Sequence, residues 1–142
     1  MFSMRAIRSG RLRLAIAKKS GQSRGSALGE IFDTHTHVIS ADTAKYPLAP
    51  IGGHQSTWSQ ERPVNYDGLI AAMDTAGIAK AVVVQASTVY GHDNRYAVAA
   101  VKADPDRFIG VFSADVLAAD AVDQIKRWMD AGMAGIRRFT TC

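Results

Sequence analysis

From residue 31 onward the apolar positions switch between two rhythms. Short apolar runs alternate with stretches in which apolar residues recur every three or four positions. Residues 31–37 read as a first strand, with Ile31 and Phe32 leading into Asp33-Thr34-His35-Thr36-His37. After a long connection, residues 65–76 carry Leu69, Ile70, Met73 and Ala76 at helical spacing, and Gly77 is placed to end that helix. Residues 80–86 contain the continuous run Ala81-Val82-Val83-Val84, the mark of a strand covered on both faces. Asp93 or Asn94 is expected to cap a helix reaching about Ala103, which Asp104-Pro105 then stops. Residues 108–113 read as a third strand. Asp120 is expected to cap a helix with Val122, Ile125 and Met129 on one face and Gly132 at its end, before a fourth strand over 135–139.

The resulting order is β-α-β-α-β-α-β, the pattern of successive right-handed βα units on a parallel sheet. No Gly-x-Gly-x-x-Gly follows the first strand, so a dinucleotide-binding fold loses its main support. A barrel fits better. In (β/α)8 barrels the chemistry sits at the carboxyl ends of the strands, where the His-x-His falls. Such a barrel takes about 200 residues or more, and this chain offers about four parallel strands and three helices. The expected class is therefore α/β, as a partial TIM barrel.

Composition adds three points. The single cysteine, Cys142, excludes an intrachain disulfide framework and fits a reducing, cytoplasmic compartment. No apolar run approaches the length of a membrane span, so no membrane association is expected. The net charge of +4 is unevenly distributed. Residues 1–29 hold seven basic residues and no acid, leaving ten basic and thirteen acidic residues for 30–142, a balance of −3. Residues 1–29 read as a disordered or spurious extension in preference to a targeting segment, and 30–142 as the folded unit. With Phe2 as the extension's one aromatic, nucleic-acid binding has little support.

The candidate chemistry starts at the first strand. Alternation along a strand places Asp33, His35 and His37 on one face, two imidazoles side by side where the strand ends. Histidines two residues apart can reach one divalent ion without bending the strand, although the spacing alone also suits ordinary polar positions. The connection from 38 to 63 lies over the mouth of such a barrel and offers Tyr46, His54, Trp58 and Arg62, for which plain packing is the competing role. Gln85 and Ser87, at the end of the second strand, are expected to point into the same mouth, with His92 close behind. Arg137 and Arg138 face opposite ways, one toward the interior or rim and the other toward the helices.

Asp-Thr-His-Thr-His, the Val-Val-Val-Gln-Ala strand, Tyr90-Gly91-His92-Asp93-Asn94, Asp104-Pro105-Asp106-Arg107-Phe108 and Gly135-Ile136-Arg137 together resemble the amidohydrolase superfamily. More narrowly, they resemble its amidohydrolase-related branch, which includes 2-pyrone-4,6-dicarboxylate lactonases. That resemblance spans about residues 31 to 140. It implies a metal-dependent hydrolase in which His35 and His37 help hold a divalent metal, zinc foremost, or none in a metal-independent branch. A general-base Asp and further His ligands would come from later strands. Arg137 becomes the candidate for a substrate carboxylate, with Tyr46, Gln85 and Ser87 as further substrate contacts. The fourth strand carries neither the bridging Lys nor the acid of two-metal relatives, which implies one metal or none. Substrates would be small carboxylates, lactones or amides, with decarboxylation as the alternative reaction. For the chain as it stands, the expectation is an inactive fragment or non-catalytic half-barrel, prone to self-association through the open edges of its first and fourth strands.

Overall fold

The computed structural model describes residues 29–138. The basic extension up to residue 28, the end of the expected fourth strand at Phe139, and Cys142 lie outside the described residues. Four strands form one sheet: β1 (Ile31–Thr36), β2 (Ile78–Val84), β3 (Phe108–Ser113) and β4 (Gly135–Arg137). All neighbouring pairs are parallel, in the order β1-β2-β3-β4. An order that follows the chain without reversal has no topological switch point. It is an arc wound one way, as in a barrel, and not a doubly wound sheet.

Three principal helices connect the strands: α2 (Tyr66–Ala76), α4 (Arg95–Ala103) and α5 (Ala121–Asp130), the number expected. Two short ones were not foreseen, α1 (Thr57–Glu61) within the long connection and α3 (Ser87–Tyr90) after β2. Helix α2 ends as its sequence dictates. Asn65 Oδ1 accepts from the Gly68 amide at its start, and Gly77 closes it at φ 69°, a left-handed conformation that glycine adopts without steric cost. Because Gly77 turns the chain at once, β2 begins at Ile78, two residues earlier than expected. Arg107 then locks this corner. Its guanidinium donates to the carbonyls of Ile78 and Ala79 and pairs with Asp74 at 2.6 Å.

Two expected caps do other work. Asn94 stands before α4 without capping it through its side chain, because both its amide atoms are bound elsewhere. Asp120 accepts from the Gln124 side chain and not from a helix-start amide. The expected buried face of α5 is also corrected. Val122 and Met129 are exposed, whereas Ala121 and Trp128 are buried with Ile125 packed beside them. Both stripes share Ile125. The one that buries the larger side chain, Trp128, prevails.

The core lies between the helices and the outer face of the sheet. Ala81 and Val83 of β2 and Phe108 and Phe112 of β3 point into it, against Met73, Ala97, Ala100, Val101, Trp128 and Met133. Gly110 shares that face, where an added Cβ would come within 3 Å of Met133 and Val101. Val82, Val84, Ile109, Val111 and Ser113 alternate to the inner, concave face.

Candidate active site at the carboxyl ends of the strands

The β1–β2 register contains an irregularity beside the site. Asp33 pairs with Ala81 and Thr36 with Val83, so β1 spends three steps where β2 spends two. One extra residue in a strand is a bulge, and bulges re-aim side chains. Here it divides the expected trio. Asp33 and Thr36 fall in register with the helix-covered positions, while His35 and His37 project together from the other side. The Asp33 carboxylate instead accepts from the His35 amide at 3.0 Å, stapling the bulge.

His35 Nε2 and His37 Nε2 lie 3.2 Å apart, with the rings edge to face. His37 Nδ1 donates to the Val84 carbonyl at 2.8 Å; since a carbonyl only accepts, Nδ1 carries the proton and Nε2 keeps its lone pair. Burial lowers the His37 pKa, and the nearby His35 and Arg137 add to the effect, so the neutral form that ligates metals is favoured. Trp58, carried by α1, stacks on His37 at 5.4 Å and walls one flank. That loop is docked on α3: Ala49 and Ile51 amides donate to the Val89 and Ser87 carbonyls, and Ser56 Oγ meets Thr88 Oγ1 at 3.0 Å.

The two nitrogens, 3.2 Å apart, are near enough that His35 and His37 could hold one divalent ion between them, imidazole being a donor type that zinc takes. Among the described residues, no group of three His, Cys, Asp or Glu could hold a metal.

The other expected residues separate. Arg137 ends β4 on the inner face, in register with Ser113, and its guanidinium lies 3.4 Å from the Gln85 carbonyl. Arg138 is exposed. Gln85 and Ser87, expected at the mouth, are both buried. Alternation beyond Val83 puts Gln85 on the covered face, where its amide donates to the Gly91 and Asp93 carbonyls. Ser87 Oγ turns back to the Gln85 carbonyl, and Tyr46 packs on Tyr96 at 4.8 Å in a tyrosine cluster. His54 bonds its own loop at Gly52 and is exposed. Sequence reasoning passed over Ser113 and Asn94, which meet His92 at the end of β3. A polar residue closing an apolar strand was the signal available.

The described residues thus form part of a parallel barrel with a histidine pair at the carboxyl end of its first strand. The amidohydrolase family model matches residues 32–142, and the chain belongs to that family. Among solved structures, the chain is similar to a probable 2-pyrone-4,6-dicarboxylic acid hydrolase from Acinetobacter baumannii with citric acid bound (TM-score 0.54, 21% identity, covering 77% of this chain and 37% of that one). It is also similar to an Agrobacterium tumefaciens protein solved in apo form (TM-score 0.57, 20% identity, covering 75% and 36%). At such identity the likeness shows the fold, a partial TIM barrel. The chain spans little more than a third of the length of either structure. A search of curated proteins gives no match.

Proposed function

We propose that this chain supplies the first part of a metal-dependent hydrolase site that acts on a lactone, amide or similar carbonyl in a small carboxylate-bearing molecule. The observation that carries the reading is the convergence of His35 Nε2 and His37 Nε2 at 3.2 Å, with the His37 tautomer fixed by Val84. A divalent metal, zinc foremost, would be held by these two nitrogens. When bound, such an ion supplies Lewis acidity toward a carbonyl and toward water.

The chain's own residues do the rest. The Val84 carbonyl holds His37 in the ligating tautomer, and Trp58 restricts its ring to one orientation. Arg137, on the inner face at the end of β4, is suited to a substrate carboxylate, since its planar fork can bind both oxygens. The citric acid in the Acinetobacter structure supports a carboxylate-bearing ligand in that relative. A catalytic zinc takes three protein ligands and keeps one position open, so turnover needs at least one ligand beyond the described pair.

The test is zinc titration of the 142-residue chain, followed by the ring ¹⁵N signals of its histidines. Zinc is expected to move His35 and His37 together and to bind weakly, with the response lost in His35→Ala and in His37→Ala. No turnover of a lactone and amide panel is expected with zinc or manganese. Unchanged zinc binding in both variants would remove the reading.

A further inference from the structure

We infer that His92 is a substrate-contacting residue of this site, a hydrogen-bond donor through Nε2 to an oxygen of a bound small carboxylate, and that Ser113 is its positioning residue. The inference rests on the reading above for the class of ligand, and on a separate set of contacts for the residue.

His92 sits in the loop that leaves β2, and that loop is held with unusual thoroughness. The carbonyls before and after it, those of Gly91 and Asp93, both accept from the buried Gln85 amide at 3.2 and 2.8 Å. Its own carbonyl accepts from the buried Asn94 amide at 2.9 Å. Asn94 in turn brackets Ser113, accepting from its backbone amide at 2.8 Å and donating to its carbonyl at 2.9 Å. Gly91 is where this loop crosses the one after β1; it has φ 58°, and an added Cβ would lie 2.5 Å from the Ala49 carbonyl. Three consecutive carbonyls and the end of β3 are thus fixed in one unit. His92 and Asp93 are the residues of that unit left partly exposed, and the Asp93 carboxylate is taken by Arg95 at 2.6 Å.

The ring's tautomer follows from its hydrogen-bond partner. His92 Nδ1 lies 2.8 Å from Ser113 Oγ. Ser113 is fully buried, and Nδ1 is the acceptor its hydroxyl proton meets among the described residues. A donation in the opposite sense, Nδ1–H to Oγ, would strand a buried hydroxyl proton at a cost of about 1–3 kcal/mol. Ser113 therefore donates, Nδ1 accepts, and the ring N–H sits on Nε2.

Where that N–H stands is set by register. Ser113 pairs with Arg137 on the neighbouring strand, and paired residues of parallel strands share a face. His92, lying on Ser113, and Arg137 therefore occupy adjacent positions on the carboxyl-end rim that carries His35 and His37. A rigidly held N–H beside a guanidinium suits a ligand oxygen with anionic character. The pair lies two and three strands from the histidine pair, so a molecule spanning the two would be gripped at both ends.

The probe is citrate, titrated without metal into the 142-residue chain with ¹⁵N-labelled histidines. The His92 Nε2 signal is expected to move with saturation. His92→Ala should weaken citrate binding about tenfold, the loss of one hydrogen bond near 1.4 kcal/mol. His92→Gln, whose amide N–H can replace Nε2–H, should recover most of it; this variant also serves should the alanine variant fold poorly. Ser113→Ala should shift the His92 signals toward the other tautomer and weaken citrate less than His92→Ala. Citrate that fails to bind, or binds equally to wild type and both His92 variants with the His92 signal still, overturns the inference. Because no metal is present, a failure of zinc at His35 and His37 leaves this test intact.

Discussion

The two faces of the central strands β2 and β3 are covered to different extents, the inner one closing only toward the carboxyl end at Val84 and Ser113. On the outer face, Val83 is 0% exposed, Phe112 1% and Phe108 2%. One residue along from Phe108, on the inner face, Ile109 is 41% exposed, and Phe32, beside the bulge on β1, is 48% exposed. Composition does not separate them, since both faces are apolar. Coverage does. The outer face has α2, α4, α5 and Met133 packed over β2 and β3, and its cover thins toward β4, where Ile136 pairs with Phe112 and is 42% exposed. Barrel interiors are filled in layers by side chains from alternate strands around the whole circle, and four strands fill only an arc of such layers. Core and candidate site are thereby divided between faces: the outer one holds the arc together, and the inner one ends in His35, His37, Ser113 and Arg137.

The widest separation should come from truncating matched positions. Phe112→Ala empties a site packed on every side and is expected to cost about 3–5 kcal/mol, measured by urea unfolding. A loss under about 1 kcal/mol would mean that the outer face is not the core. Gly110→Ala probes the same face from the other direction. Its new methyl meets the Met133 side chain and Val101 Cγ2 inside contact distance, so overpacking is expected to cost about 1–3 kcal/mol. Gly110→Ala should cost less in a Met133→Ala background than in the wild type, because the crowding methionine is then gone. If its cost is the same in both backgrounds, crowding against Met133 is not the cause.

The elements themselves were legible in the sequence because each rests on a local rule. Apolar runs gave the strands, helical spacing with Gly77 gave α2, and the absence of a phosphate loop pointed away from a doubly wound sheet. Features decided by packing were not legible. On α5, Val122, Ile125 and Met129 obey helical spacing as well as Ala121, Ile125 and Trp128 do, and only contact with the sheet chooses between them. The bulge that separates Asp33 from His35 and His37 is a matter of register against β2, invisible along one strand. Gln85 is a different case: continuing the alternation from Ala81 and Val83 would have assigned it to the covered face. Expecting it at the mouth followed strand order and overlooked strand parity. The His92–Ser113–Asn94 group draws on two segments nineteen residues apart, and nothing in either segment announces the other.

The smallest expected effect is the one that sharpens the comparison most. Ile109→Ala removes an apolar side chain of the same β3 strand, three positions from Phe112. Because Ile109 already meets solvent over 41% of its surface, its truncation in the dilute 142-residue chain should cost about 1 kcal/mol at most, against about 2–5 kcal/mol for a buried isoleucine. The measurement is urea unfolding at two protein concentrations a hundredfold apart. A cost that stays small and constant leaves the inner face open in solution. A cost that rises with concentration would show a second copy covering Ile109, since stability gained by association depends on mass action. A cost of core size at both concentrations would break the comparison, because the inner face would then be packed within the single chain.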